Sequence, residues 1–237
     1  MNVTVWNEYS DYQKSGKTKE IYPDGIHNEI ASFLRQTGIK ARTAVLDENE
    51  DGLTDEILNN TDVLIWWGHR LHDSVSDRTV ERIVQRVYMG MGIIFLHSAH
   101  MSKPFKRLMG TSCTLKYREA DESERLWTVN PIHPIAKDVG EYIELEKEEM
   151  YGEFFDIPKP EELVFIGWFK GGEIFRSGVT YTRGYGKIFY FQPGHETYPI
   201  YKNTAIQKII INAVNWAVPK TIFPLPECKN SKPLEKL

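Results

Sequence analysis

The stretch GIIFLHSAH, residues 92–100, runs apolar from Gly92 to Leu96 and then turns abruptly polar at His97. A strand that is apolar along its whole length, rather than at alternate positions, is expected where helices cover both faces of a parallel sheet. The chain upstream fits that setting, because short β-branched runs alternate with amphipathic helices. VTVW (3–6) reads as a buried strand, and DGIHNEIASFLRQTG (24–38) puts Ile26, Ile30, Phe33 and Leu34 on one helical face before Gly38 ends it. KARTAVL (40–46), DEILNN (55–60) and DVLIWWG (62–68) repeat strand, helix and strand. A helix capped at Ser76 then runs through VERIVQRVYMG with Val80, Ile83, Val84 and Val87 facing inward. The first half is therefore expected to be doubly wound.

Downstream of Thr111 the rhythm changes. SCTLKYRE (112–119), RLWTV (125–129), EYIELE (141–146) and LVFIGWF (163–169) are strand-like runs joined by turns, and they predict antiparallel extensions of the sheet. KIFYFQPGHETYP (187–199) adds a buried strand ending in a polar loop, and NTAIQKIIINAVNWAV (203–218) closes the domain with a long apolar-faced helix. The fold class is thus α/β, a three-layer doubly wound and mostly parallel sheet with antiparallel strands in its second half. One domain is expected over residues 1–219, followed by an irregular tail over 220–237.

Bulk properties bound the function. In 237 residues, 41% hydrophobic and 12% aromatic content is ample for a single large core. A formal charge of -4 provides no basic field for phosphate backbones, so nucleic acid is not an expected partner. Cys113 and Cys228 are the only cysteines, which excludes a disulfide framework and a four-thiolate metal site and suits a reducing cytoplasm. MNVTVWNEYSDYQ lacks the features of a signal peptide, and no apolar stretch approaches the roughly 20 residues that cross a bilayer. The expectation is a cytosolic protein with no membrane partner. Exposed apolar strands in the second half would be compatible with a homo-oligomer.

Open α/β sheets bind ligands beyond the carboxyl ends of their strands, so the residues that follow each apolar run matter most. Asn7 and Glu8 follow the first run, with His27 near the start of the next helix. Gly68, His69 and Arg70, then His72 and Asp73, follow VLIWW; His97, Ser98 and His100 follow GIIFL; Gln192, His195 and Glu196 follow KIFYF. Histidines gathered at one sheet edge can act as general acids, general bases or metal ligands. His69 and His72, three apart, can turn both imidazoles toward a divalent ion, and zinc suits imidazole-rich ligation; with His97 and His195 they form the expected ligand set. The acidic run EEMYGEFFD (148–156) supplies Glu149 and Glu153, which flank a turn expected at Tyr151 and Gly152, whereas Glu148 and Asp156 read as a solvated edge. Aromatic faces beside such groups hold sugar rings, and Trp67, Tyr151, Trp168 and Tyr198 are the expected sugar-facing residues, with Trp66 assigned to the core.

GIIFLHSAHM resembles the strand-to-helix elbow of class I glutamine amidotransferases. His97 stands where those enzymes carry the Cys nucleophile, Ala99 matches the small residue and His100 the following His. IFYFQPGHE resembles the strand that carries their triad His and Glu, here His195 and Glu196 without the usual intervening residue. With no cysteine at the elbow, glutaminase activity is not expected. WWGHRLHD, GMGIIFLHSAH, EEMYGEFFDIP and FYFQPGHETYP together resemble the ThuA family, the trehalose-utilisation branch of this superfamily. That resemblance implies a flavodoxin-like, amidotransferase-type fold, a role in bacterial sugar catabolism, and a pocket of His97, Glu149 and His195 joined by His27 and His69.

The leading expectation is an enzyme acting on trehalose or a related, keto-type disaccharide through His and Glu acid–base groups, with a divalent metal as a potential aid. A sugar-binding or regulatory protein on a degenerate amidotransferase fold is the alternative. Hydrolysis through Ser98, activated by His100 or His195, ranks third.

Overall fold

A computed structural model describes residues 1–236 as one nine-stranded sheet sandwiched between helices. The alternating half supplies β1 (Asn2–Asn7), α1 (Gly16–Ile21), α2 (Ile26–Gln36), β2 (Lys40–Val45), α3 (Asp55–Asn59), β3 (Val63–Trp67), α4 (Asp77–Met89), β4 (Gly92–Leu96) and α5 (Lys103–Met109). The second half supplies β5 (Lys116–Thr128), β6 (Tyr142–Gly152), β7 (Glu162–Phe169), β8 (Ile174–Arg183), β9 (Gly186–Phe191) and α6 (Thr204–Ala217). The spatial order is β2-β1-β3-β4-β9-β8-β7-β5-β6. Pairings from β2 to β9 are parallel, and those from β9 outward are antiparallel.

Strand periodicity divides the core into two layers. Val3, Val5, Val63, Ile65, Ile94, Leu96, Phe189 and Phe191 pack on one face against Ile26, Ile30 and Leu34 of α2 and Ile206, Ile209 and Ile210 of α6. Their strand neighbours Trp6, Leu64, Trp66, Ile93, Phe95, Ile188 and Tyr190 pack on the other against Val80, Ile83, Val84 and Val87 of α4 and Phe105 of α5. Burying a large apolar side chain contributes about 1.5–3 kcal/mol, so both layers strongly favour this register. Ser76 caps α4 as expected, and Ser102 and Asn203 likewise each accept a backbone N–H from the first turn of α5 and α6.

The second half departs from expectation in detail. The runs 112–119 and 125–129 are not two strands: Lys116–Glu119 and Arg125–Thr128 belong to the single strand β5, whose register against β6 shifts around Glu122, and residues 112–115 precede it. β8 was not anticipated. β6 continues through Glu148, Glu149 and Tyr151 to Gly152, so no turn lies at Tyr151–Gly152. Its burial alternates up to Leu145 and then breaks at Glu146 and Lys147, after which every residue to its end is buried. Beyond Val218 the described chain has no helix or strand. Among the described residues, no helix is long and apolar enough to cross a membrane.

Candidate functional site

The residues singled out above leave the carboxyl ends of β1, β3, β4 and β9. β4 delivers His97, whose φ of 55° lies in the left-handed region. A non-glycine residue there is strained by about 1 kcal/mol and persists where its surroundings over-determine it. Two hydrogen bonds do so: His97 Nδ1 donates to the Gln192 carbonyl at 2.9 Å, and the His97 carbonyl accepts the Tyr190 hydroxyl at 3.0 Å.

Two buried glutamates clamp the other histidine-bearing loops by their backbone amides. Glu8, just past β1, accepts the N–H groups of His69 at 2.9 Å, Arg70 at 3.0 Å and Leu71 at 2.9 Å, and the Tyr12 hydroxyl at 2.7 Å. Glu148 of β6 accepts the N–H groups of Gly194 at 2.8 Å and His195 at 3.2 Å. Burial pushes Glu148 up to about 8, while these amides pull the other way. Trp67 Nε1 donates to the Gly194 carbonyl, which ties the ends of β3 and β9 together.

Three imidazoles converge between these loops. His97 and His69 are near-parallel with ring centres 5.9 Å apart, and His195 stands edge-on to both at 5.4 Å. Burial holds all three down to about 3, so each ring is neutral at neutral pH. Since the Gln192 carbonyl can only accept, the single proton of neutral His97 sits on Nδ1 and a lone pair occupies Nε2. That lone pair lies 3.0 Å from Glu149 Oε2, a buried atom without a hydrogen-bond partner. Burial raises Glu149 too, and pushes Glu196 up to about 7. A second line of contacts starts at His69 Nδ1, which is 2.6 Å from Ser98 Oγ; this hydroxyl is 2.8 Å from the Tyr151 hydroxyl. Burial keeps Tyr151 protonated by raising it well above the usual phenol range.

The cavity over this cluster has a volume of about 480 Å³ and is bounded by His69, Ser98, Glu149, Tyr151 and His195, with Leu115 and Tyr117 on its outer wall. Glu149 thus reaches the cleft as expected, from a strand rather than a turn. His72 lines the same cavity, yet its nitrogens fall outside both groups of converging ligand atoms, His97–Glu149–His195 and His69–His195–Glu196. The His-x-x-His spacing fails because Leu71 leads into a separate one-turn helix at His72–Ser74. Ser98 pairs with His69, not with His100 or His195; His100 Nδ1 bonds the Cys113 carbonyl instead.

Two of the expected sugar-facing residues, Trp168 and Tyr198, lie elsewhere, and so do two other residues expected at the pocket, Glu153 and His27. Glu153 forms a two-point ion pair with Arg176 and accepts the Phe155 amide, so its carboxylate is spent on β8. Trp168 stands 40% exposed on β7, where Arg125 lies over its ring. His27 is buried against Asn7 and Tyr9 behind the β1 loop. Tyr198 packs on the back of His195 and donates to Asp121, and its other side borders a neighbouring cleft with Lys17 and Lys202. Trp67 is fully buried and acts through the Gly194 carbonyl. Glu148 is no solvated edge but a fully buried anchor, while Asp156 accepts from Ser112 at the surface. The clamping role of Glu8 and Glu148 and the wall residue Tyr117 were not foreseen. A carboxylate directly after an apolar strand is the one signal that pointed at Glu8.

A family model described as trehalose utilisation matches residues 2–217. No curated protein matches the chain in sequence. Among solved structures, a putative ThuA-like protein from Parabacteroides merdae superposes with a TM-score of 0.69 at 14% identity, covering 94% of each chain. A cytoplasmic protein from Salmonella typhimurium gives 0.61 at 14% identity over 93% of this chain and 100% of that one. A putative GMP synthase protein from Thermoplasma acidophilum gives 0.51 at 11% identity over 91% and 92%. At these identities the structural likeness speaks for the fold, which is amidotransferase-like as expected.

Proposed function

The chain belongs to the ThuA, trehalose-utilisation, family, and from that premise we propose that its histidine pocket is the active site of an enzyme acting on trehalose or a related, keto-type disaccharide. The observation that carries this reading is the convergence of the neutral imidazoles of His97 and His195 on Glu149, beside an unbroken hydrogen-bonded line from His69 through Ser98 to Tyr151. Two lone pairs 3.0 Å apart, on His97 Nε2 and Glu149 Oε2, require a proton or a cation between them. A proton there belongs to Glu149 as a neutral acid donating to His97, whereas a cation offers positive charge to a substrate oxygen in a buried site, where such charge acts most strongly. The line of hydroxyls can carry a proton to or from the substrate in either direction, and Glu196, at about 7, is poised to exchange one at neutral pH. The aromatic wall and the cavity volume suit a sugar, since small-ligand sites span roughly 300–1,000 Å³.

Amide transfer has no support in the site. His97 occupies the elbow, Cys113 is buried under its own loop and Cys228 lies in the tail. The test is turnover of trehalose and its oxidised forms by the wild type, His97→Ala and His195→Ala. Loss of turnover in both folded variants is expected; unchanged turnover in both would remove the reading. The same elbow histidine favours a second reading, a protein that binds the sugar without consuming it, for which calorimetry would show binding where chromatography shows no product.

A further inference from the structure

We propose that His97, Glu149 and His195 bind one divalent transition-metal cation of the zinc class, leaving a coordination position open to the pocket. The inference deepens the active-site reading above and rests on it for its functional meaning, but the ligand geometry stands by itself. One ligand atom from each of the three side chains lies within 4.8 Å of the others. Zinc binds imidazole nitrogen and carboxylate oxygen at about 2.0–2.2 Å, which places tetrahedral ligand atoms about 3.3 Å apart. The 3.0 Å between His97 Nε2 and Glu149 Oε2 is close to that span.

Three further features point the same way. His97 donates Nδ1–H to the Gln192 carbonyl, the outer contact that orients a ligating imidazole, and Thr197 holds the His195 ring at Nδ1, with its Oγ1 at 2.9 Å and its backbone N–H donating at 3.3 Å. Glu149 Oε2 and Glu196 Oε2 are both buried without a hydrogen-bond partner. An unpartnered carboxylate oxygen facing a lone pair is costly unless something positive lies between them. The second group of converging atoms, His69, His195 and Glu196, shares His195 and is more open: Glu196 stands 3.8 Å from His69 Nε2 and 3.7 Å from His195 Nε2. Glu196 then balances the charge of the cation from outside its ligand set. Two imidazoles, one carboxylate and an open position form the ligand pattern of catalytic rather than structural zinc, in which the ion polarises a substrate oxygen or acidifies bound water.

The experiment uses full-length, tag-free protein, stripped with chelator and titrated with zinc chloride by calorimetry, with elemental analysis after dialysis. One equivalent bound with a dissociation constant below about 1 μM is expected. His97→Ala and Glu149→Ala should each weaken binding by at least about 100-fold, and His72→Ala should bind as the wild type does. Should the alanine variants fail to fold by circular dichroism, Glu149→Gln in cobalt-substituted protein replaces them. The visible absorption of tetrahedral cobalt in the wild type should be lost or shifted in that variant. No stoichiometric zinc in the wild type, or equal affinity in folded His97→Ala and Glu149→Ala, overturns the proposal. Zinc bound at this site without sugar turnover upholds it while removing the proposed function. Turnover by stripped protein that takes up no zinc overturns it and leaves that function standing.

Discussion

The backbone N–H of His69 donates to Glu8 Oε2 at 2.9 Å, joining residues that stand 61 positions apart in the chain. The contact exists because β1 and β3 are parallel neighbours, with Asn7 paired to Trp67, so the loops leaving both strands start side by side. Glu8 then holds three consecutive amides, which sets the loop that presents His69 to Ser98.

Glu8→Gln tests that clamp. An amide offers one acceptor oxygen where the carboxylate offers two, so at least one of the three N–H groups loses its partner. Stranding a buried donor costs about 1–3 kcal/mol. The variant should unfold earlier in a urea titration by about that amount and lose turnover, with Glu8→Ala worse on both counts. A stability equal to the wild type would mean that water satisfies the loop and Glu8 is not its anchor.

Tyr151→Phe and Ser98→Ala each cut the line from His69 to the pocket while leaving its packing. Tyr151 is wholly buried and the change removes only the hydroxyl, so the fold should persist. Each variant should lower kcat about 100-fold with little change in KM, the scale on which positioned proton transfer contributes. Additive losses in the double variant would show that the two hydroxyls do not act as one relay.

The strand–helix alternation was legible because each parallel strand is apolar throughout and each helix repeats its apolar face every three or four residues. For the same reason His69, His97 and His195 could be placed at one edge: each lies within a few residues of the carboxyl end of such a strand. Glu148 and Glu149 were legible only as an acidic pair. Strict alternation in β6 would bury one and expose the other, but the break at Glu146–Lys147 buries both, one as loop anchor and one in the cleft. Glu153 and Trp168 were misplaced for a related reason. The partner of Glu153, Arg176, lies on a strand not anticipated, and the face on which Trp168 stands is set by register shifts that leave no mark in composition.

Gly194 shows how tightly the β9 loop is drawn. Its φ is +150°, and a Cβ there would come within 2.0 Å of Tyr201 Oη. Gly194→Ala should therefore destabilise the protein by about 2 kcal/mol or more and shift His195. Adding Tyr201→Phe removes the clashing oxygen and should restore part of that loss in thermal unfolding. If the second change restores nothing, backbone strain and the remaining contact with Tyr201 Cζ, 2.8 Å from that Cβ, account for the loss.

Acid should weaken the fold through its buried histidines, and His27 allows the effect to be measured away from the pocket cluster. Burial lowers His27 from 6.5 to about 4, so between those values the unfolded chain binds a proton that the folded chain refuses. Its contribution is complete above pH 6.5, falls as pH drops through the window and levels off below about 4. The whole shift corresponds to about 3 kcal/mol. The other buried imidazoles act in the same direction, so the informative quantity is the difference between wild type and His27→Gln, the latter keeping a polar group beside Asn7. Urea unfolding at intervals from pH 7.5 to 4.5 should give a shallower acid slope for the variant. Parallel slopes would mean that His27 takes up its proton at the same pH in the folded and unfolded chains, so that burial does not hold it down.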